Sequence, residues 1–154
     1  ILTKGMNVMD GYYNNPEASN TVLSPDGWLH TGDLGVLDPD GYLYIKGRSK
    51  SLILGPSGQN IYPEEIEDLL NAQPYIAESL VIEREGKLVA LVYPDAEAMK
   101  QNKISREALL KIIHETRKQI NQQLPAYSQI ARLEIHDEEF EKTPKRSIKR
   151  FLYQ

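Results

Sequence analysis

Ser79-Leu80-Val81-Ile82-Glu83-Arg84-Glu85-Gly86-Lys87-Leu88-Val89-Ala90-Leu91-Val92-Tyr93 decides how the second half of this chain folds. Two apolar runs flank Glu83-Arg84-Glu85-Gly86, a charged connection closed by a glycine, and a β-hairpin is the economical reading. Upstream, a strand-like Leu52-Ile53-Leu54 precedes the turn Gly55-Pro56-Ser57-Gly58. Pro63 then opens a helix with Glu64 and Glu65 beside its positive end and Ile66, Leu69 and Leu70 on one apolar face. Downstream, Ser105 caps a second helix that runs to about Leu124 and buries Leu109, Ile112, Ile113 and Ile120; Pro125 ends it. Arg132-Leu133-Glu134-Ile135-His136 alternates like an exposed-edge strand. Helix and hairpin in turn predict a small α+β domain from about Ser51 onward, an antiparallel sheet flanked by helices.

The first third differs. Asn14-Asn15-Pro16, Ser24-Pro25-Asp26-Gly27 and Asp38-Pro39-Asp40-Gly41 punctuate short runs such as Trp28-Leu29-His30 and Tyr42-Leu43-Tyr44-Ile45, which reads as β-meander or barrel-like chain. A length of 154 residues is ample for a hydrophobic core, and 40% hydrophobic with 26% charged residues is ordinary globular composition. A net charge of -4 argues against general affinity for polyanions. The absence of cysteine excludes disulfides and thiolate chemistry and fits a cytoplasmic setting. No apolar run approaches the roughly 20 residues of a membrane span. The start at Ile1-Leu2-Thr3-Lys4 has neither Met nor a signal-peptide pattern, as expected of a piece of a longer protein.

Three stretches carry chemistry. Gly27-Trp28-Leu29-His30-Thr31-Gly32-Asp33-Leu34-Gly35 sets a carboxylate after a glycine, suited to the vicinal hydroxyls of a sugar, although alone it is an ordinary surface turn. Gly47-Arg48-Ser49-Lys50-Ser51 puts two cations at the junction of the two regions, where a solvated linker is the bland alternative. The loop from Gly55 to Ile61 feeds the helix at Pro63. It lacks the GxxxxGK[ST] order of a phosphate cradle, and Glu64 and Glu65 would repel an anion there. Its glycines permit a change of conformation or close approach of a ligand. His30, His114 and His136 lie far apart without ligand spacing, so no protein metal site is expected.

Together, in register with Gly5-Met6-Asn7-Val8-Met9-Asp10-Gly11-Tyr12-Tyr13 and Lys142-Thr143-Pro144, these stretches make the chain resemble the adenylate-forming (AMP-forming) ligase superfamily. The resemblance implies that residues 1–49 are the β-rich end of a large adenylation domain and 50–154 the small mobile C-terminal domain of an acyl-CoA synthetase. Such an enzyme joins a carboxylic acid to ATP, releases pyrophosphate, and passes the acyl group from AMP to coenzyme A. By position, Asp33 would accept hydrogen bonds from the ribose hydroxyls, and Arg48 would lie near ribose and phosphate. Lys50 would be the hinge about which the small domain swings. Gly55, Gly58 and Gln59 would lie in the loop lining the coenzyme A tunnel. Mg2+ would arrive with ATP and be held chiefly by phosphate and the large domain. The Ser/Thr/Gly-rich phosphate loop of that domain is not in this sequence, so the chain alone is expected to be inactive. Leu88 to Asp95 and Leu124-Pro125-Ala126-Tyr127 are similar to the long-chain fatty acid branch, for which the partners would be ATP, fatty acid, coenzyme A and the protein's own N-terminal domain, with peripheral membrane contact and no nucleic acid.

The acidic chain ends in EKTPKRSIKRFLYQ, with five Lys or Arg side chains. The family places a lysine here that stabilises charge in adenylation. Aligned on Thr143, Ile148 and Arg150, that position is Ser147. If the segment is extended, Lys145, Ser147 and Lys149 share a face, so Lys149 or Lys145 can stand in for the lysine; otherwise both are solvated. Three alternatives stand beside an active acyl-CoA synthetase: another adenylate-forming ligase, a degenerate ligase, and a noncatalytic anion-binding module.

Overall fold

In the computed structural model, which describes residues 1–154, the chain divides between Lys50 and Ser51 into two units. In the first, β1 (Leu2–Thr3) pairs antiparallel with β2 (Leu29–His30) around an intervening helix, α1 (Pro16–Val22). Asn14-Asn15-Pro16 is the start of α1 rather than a plain turn. The Asn15 side chain accepts from the Ala18 N–H at 3.0 Å, and Pro16 occupies the first helical turn, where no N–H partner is needed. An antiparallel ribbon follows, β3 (Asp33–Leu37) with β4 (Leu43–Arg48), closed by a turn in which Asp38 Oδ1 accepts from the N–H groups of Asp40 and Tyr42. The register shifts between Leu34 and Gly35, where a Cβ would lie 2.8 Å from the Tyr44 carbonyl oxygen, so only glycine fits. This unit buries no large apolar side chain, and Val36, Leu37, Tyr42, Leu43, Tyr44 and Ile45 are exposed.

The second unit holds the core. After the short antiparallel pair β5 (Ile53–Leu54) and β6 (Asn60–Ile61) come α2 (Pro63–Asn71), β7 (Ile76–Arg84), β8 (Lys87–Pro94), α3 (Ala96–Gln101), α4 (Arg106–Gln123) and β9 (Ile130–Ile135). β7 and β8 form the expected antiparallel hairpin, turning at Glu85 and Gly86, both at positive φ. Ser105 caps α4 by accepting from the Ala108 N–H at 3.1 Å. The α+β class holds, with one change to the antiparallel sheet expected: β9 runs parallel to β8, in the order β7-β8-β9. The reason is connectivity, since α3 and α4 carry the chain back along the sheet before it re-enters, as a parallel neighbour requires.

Both faces of the sheet are buried, by different means. Val81, Leu88, Ala90 and Val92 point to the face covered by α2 and α4, packing with Ile66, Leu70, Leu109, Ile113 and Ile120. Leu80, Ile82, Val89 and Leu91 point to the opposite face and meet Phe140, Ile148 and Tyr153 from the C-terminal tail. The alternation is the period-two consequence of a pleated strand. Each fully buried Val, Leu, Ile or Phe among them contributes roughly 1.5–3 kcal/mol. The basic tail is thus the second cover of the sheet rather than a loose end. No helix is long and apolar enough to cross a membrane.

Candidate functional site

Three groups of residues are the candidates, one in the first unit and two in the second. In the first, Asp33 begins β3 and Arg48 ends β4, and ribbon register sets them directly opposite. Arg48 Nη1 donates to Asp33 Oδ1 at 2.5 Å, with side chains 60% and 28% exposed. The Thr31 hydroxyl holds the approach to β3 by accepting from the Asp33 N–H at 3.0 Å. Gly32, at φ +77, offers its carbonyl to the Ser49 N–H at 2.8 Å. Residues read separately from sequence therefore form one charged pair: an acceptor with two oxygens beside a planar fork of donors. Lys50 is exposed and ends this unit.

The second group is a groove of about 560 Å³ in the second unit. One wall is the turn between β5 and β6, including Gly55, Pro56, Ser57 and Gln59; the others are Gly86 and Lys87 of the hairpin and Ala126 and Tyr127 after α4. Gly55 is buried, donates to the Gln59 carbonyl at 2.8 Å, and accepts from the Gly58 N–H at 2.9 Å. Gly58 sits at φ +79 with open space around it. A Cβ on Gly55 would lie 3.1 Å from Gln59 Oε1, a buried oxygen that receives no hydrogen bond. Of the expected loop residues, Gly55 and Gln59 line the groove and Gly58 does not; the two glycines are used differently, Gly58 for its backbone angle and Gly55 for close approach.

The third group is the tail. The segment is not extended, so the shared face that would require extension does not form. Thr143-Pro144-Lys145-Arg146 is a tight turn: the Arg146 N–H donates to the Thr143 carbonyl and the Thr143 N–H to the Ser147 carbonyl, both at 2.8 Å, and Lys142 bridges Ile148 antiparallel. Proline favours the second position of such a turn, and Arg146 adopts φ +62. Lys145, Arg146 and Ser147 are consequently exposed at or beside its tip. The two lysines considered for the charge role part company. Lys149 Nζ donates to Glu141 Oε2 at 3.0 Å, whereas Lys145 takes part in no ion pair.

Two anchors hold the legs of this turn, and sequence reading missed both. Lys142 lies 2.6 Å from Glu78 on β7 and 2.6 Å from Glu139. Hydrogen bonds to Glu139 and then Glu78 hold its ammonium pKa above the usual lysine value. Arg150 Nη2 donates to Glu67 Oε2 of α2 at 2.5 Å and its Nη1 to the Val81 carbonyl at 3.1 Å, while Glu67 Oε1 accepts from the Val81 N–H at 2.6 Å. Val81 is on β7, an edge strand, so Glu67 and Arg150 together satisfy backbone groups that the edge leaves unpaired. Burial pushes the Glu67 carboxyl pKa up, and Arg150 offsets part of that rise. The spacing of Pro63, Glu67 and Leu70, all buried on one helical face, is the signal that could have found it. No three His, Asp or Glu side chains gather as a metal site.

Residues 50–153 match the family described as AMP-binding enzyme, C-terminal domain. The chain belongs to this family of AMP-binding enzymes. As a member it is 49% identical over 96 residues to indoleacetate–CoA ligase of Aromatoleum aromaticum, an alignment covering 60% of this chain and 18% of that protein. It is 40% identical over 115 residues to 2-succinylbenzoate–CoA ligase of Bacillus cereus, covering 75% and 23%. The chain therefore spans less than a quarter of the length of these relatives. It superposes on the o-succinylbenzoate coenzyme A synthetase of Bacillus subtilis in complex with its acyl-adenylate intermediate, with a TM-score of 0.71 and 31% identity, over 99% of this chain and 30% of the other. The same synthetase with ATP and magnesium gives 0.70 and 31% over 97% and 29%. These relatives are adenylate-forming CoA ligases, the superfamily expected from the sequence.

Proposed function

We propose that this chain is the C-terminal portion of an ATP-dependent, AMP-forming acid–thiol ligase that makes an acyl-adenylate and passes the acyl group to coenzyme A. The single observation that carries this reading is the family match over residues 50–153, in a unit that has both a groove of about 560 Å³ and a basic turn. Asp33 and Arg48 suit a ribose and its phosphate: charge-assisted bonds from the two hydroxyls to the carboxylate, and a donor fork for the phosphate oxygens. The groove suits the pantetheine arm, a narrow amide-bearing chain, with Lys87 and Glu83 as the charged residues of its lining. Lys50, the last residue of its unit, would take the hinge role between the two half-reactions. Mg2+ would arrive with ATP and be held chiefly by its phosphate oxygens and by the large domain. Coenzyme A and ATP supply the chemistry when bound; the residues here orient them and shape the charge around them.

At the tail, Lys145 is the better candidate for the cation that meets the reacting carboxylate and α-phosphate, because Lys149 is already paired with Glu141. The long-chain fatty acid reading rests on Leu88 to Asp95 and Leu124 to Tyr127. Leu88 to Val92 are core residues, so their identity follows from packing rather than from substrate. The relatives favour a second reading, an acid bearing an aromatic ring such as indoleacetate or 2-succinylbenzoate. The complete ligase, working in the cytoplasm with its own N-terminal domain, would be the active form. The test is acid-dependent ATP/pyrophosphate exchange by the full-length protein across fatty acids and these two aryl acids, with Lys145→Ala and Lys149→Ala variants beside it. Exchange that falls in Lys145→Ala is expected. No exchange with any acid refutes the ligase reading, and wild-type exchange in both variants refutes the role of the tail lysines.

A further inference from the structure

We propose that Arg150 is a positioning residue for adenylation: it fixes the height and orientation of the Thr143–Ser147 turn by locking the tail to α2 and to the edge of β7. The inference rests on the ligase reading above and assigns Arg150 no contact with substrate.

Of the five tail cations, three form ion pairs within the protein and two do not. Lys149 pairs inside the tail, with Glu141. Lys142 reaches Glu78 and Arg150 reaches Glu67, one on each leg of the turn. Lys145 and Arg146 at the tip engage in no ion pair. Ion-paired cations at the base and cations without an ion pair at the tip are what a turn needs in order to present charge at a set position. Arg150 is the more exacting of the two anchors. Its side chain is 20% exposed against 10% for Glu67, and its two terminal nitrogens take two partners on different elements. A lysine offers a point charge and cannot span a carboxylate and a carbonyl with a planar fork. Glu64 Oε1, 3.6 Å from Arg150 Nη2, adds a second carboxylate on the same helix.

The groove loop and the tail also meet at one mount. The turn Gly55–Gly58 leads through β6 into α2, and Arg150 grips α2 one turn further on. No residue lining the groove belongs to the tail. Loosening Arg150 should therefore shift the tail turn and leave the groove in place. A misplacement of about 1 Å at a reacting centre costs up to a hundredfold in rate.

The experiment uses the full-length enzyme, with Arg150→Lys and Glu67→Gln as conservative variants that keep the charge or the shape. Three quantities are compared: kcat and KM for ATP in the exchange reaction, and the rate of thioester formation from supplied acyl-adenylate and coenzyme A. The expected result for Arg150→Lys is a drop in exchange kcat of about tenfold to a hundredfold, KM for ATP within about twofold, and thioester formation within about twofold. Glu67→Gln should give a smaller loss of the same kind. Exchange at the wild-type rate in both variants, or equal losses in both half-reactions, overturns the proposal. A wild-type enzyme that shows no exchange overturns the ligase reading and this inference with it, whereas wild-type exchange with unaffected variants overturns this inference alone.

Discussion

Replacing Arg150 by Met in the 154-residue chain tests the Glu67–Arg150 pair as a stability element, independently of catalysis. The substitution keeps an unbranched stem over the sheet edge and removes the cation and both hydrogen bonds, to Glu67 and to the Val81 carbonyl. Breaking a buried pair from one side costs about 3–5 kcal/mol. Two features lower that here. Arg150 is 20% exposed, so water screens the pair, and Glu67 keeps the Val81 N–H as a donor. Glu67 can also take up a proton: from an ordinary value of 4.5, neutralisation at pH 7 costs about 3 kcal/mol, which caps the loss. The expected destabilisation at pH 7 is about 2 kcal/mol, and the double variant Glu67→Gln/Arg150→Met should recover about half of it.

The pH dependence has a definite sign. Burial already raises the Glu67 pKa in the folded state, and losing Arg150 raises it further, so the folded variant binds this proton more tightly than the unfolded chain. Stability from this group is then fully present below the unfolded value near 4.5 and is lost as pH rises through the raised folded value. The difference between wild type and Arg150→Met should be largest at neutral pH and shrink on acidification toward pH 5. Urea denaturation at both pH values, with unchanged m, measures it. A difference below about 0.5 kcal/mol at pH 7, or one that does not change with pH, refutes the reasoning.

Other consequences follow from packing. Gly35→Ala sets a Cβ against the Tyr44 carbonyl oxygen at 2.8 Å and should destabilise the β3–β4 ribbon by about 1–3 kcal/mol, read as faster amide exchange confined to residues 33–48. Phe140→Ala removes a ring that is 2% exposed, stacked on His136 at 4.8 Å and edge-on to Tyr153 at 5.3 Å. It should cost about 3 kcal/mol in urea denaturation and free the Tyr153 hydroxyl from the Glu141 N–H. Ser105→Ala removes the cap of α4 and should cost about 1 kcal/mol by the same measurement.

What was legible in the sequence was local. The hairpin from Ser79 to Tyr93, the opening of α2 at Pro63 and the cap of α4 at Ser105 each rest on a few neighbouring residues, and each forms as read. The charged pair of Asp33 and Arg48 was legible as two separate positions, because family order names them without their register. Long-range features were harder. The direction of β9 depends on where α4 leaves the chain, not on any residue of Ile130–Ile135. The unbroken apolar run Leu88 to Val92 did carry a sign that both sheet faces are covered, since a half-exposed strand would alternate. In the tail, the shared face of Lys145, Ser147 and Lys149 would exist only in an extended segment, and the turn that Pro144 favours replaces it. Glu67 and Arg150, 83 residues apart, look like two solvated charges until the fold brings them together.

The most direct test of the central claim follows the products of the full-length protein with ATP, coenzyme A and the acid that gives the strongest exchange. The account predicts AMP and pyrophosphate formed together, with one acyl-CoA for each AMP and no AMP released at a comparable rate when either the acid or coenzyme A is left out. Formation of ADP in place of AMP, or AMP release that does not depend on the acid, would contradict it.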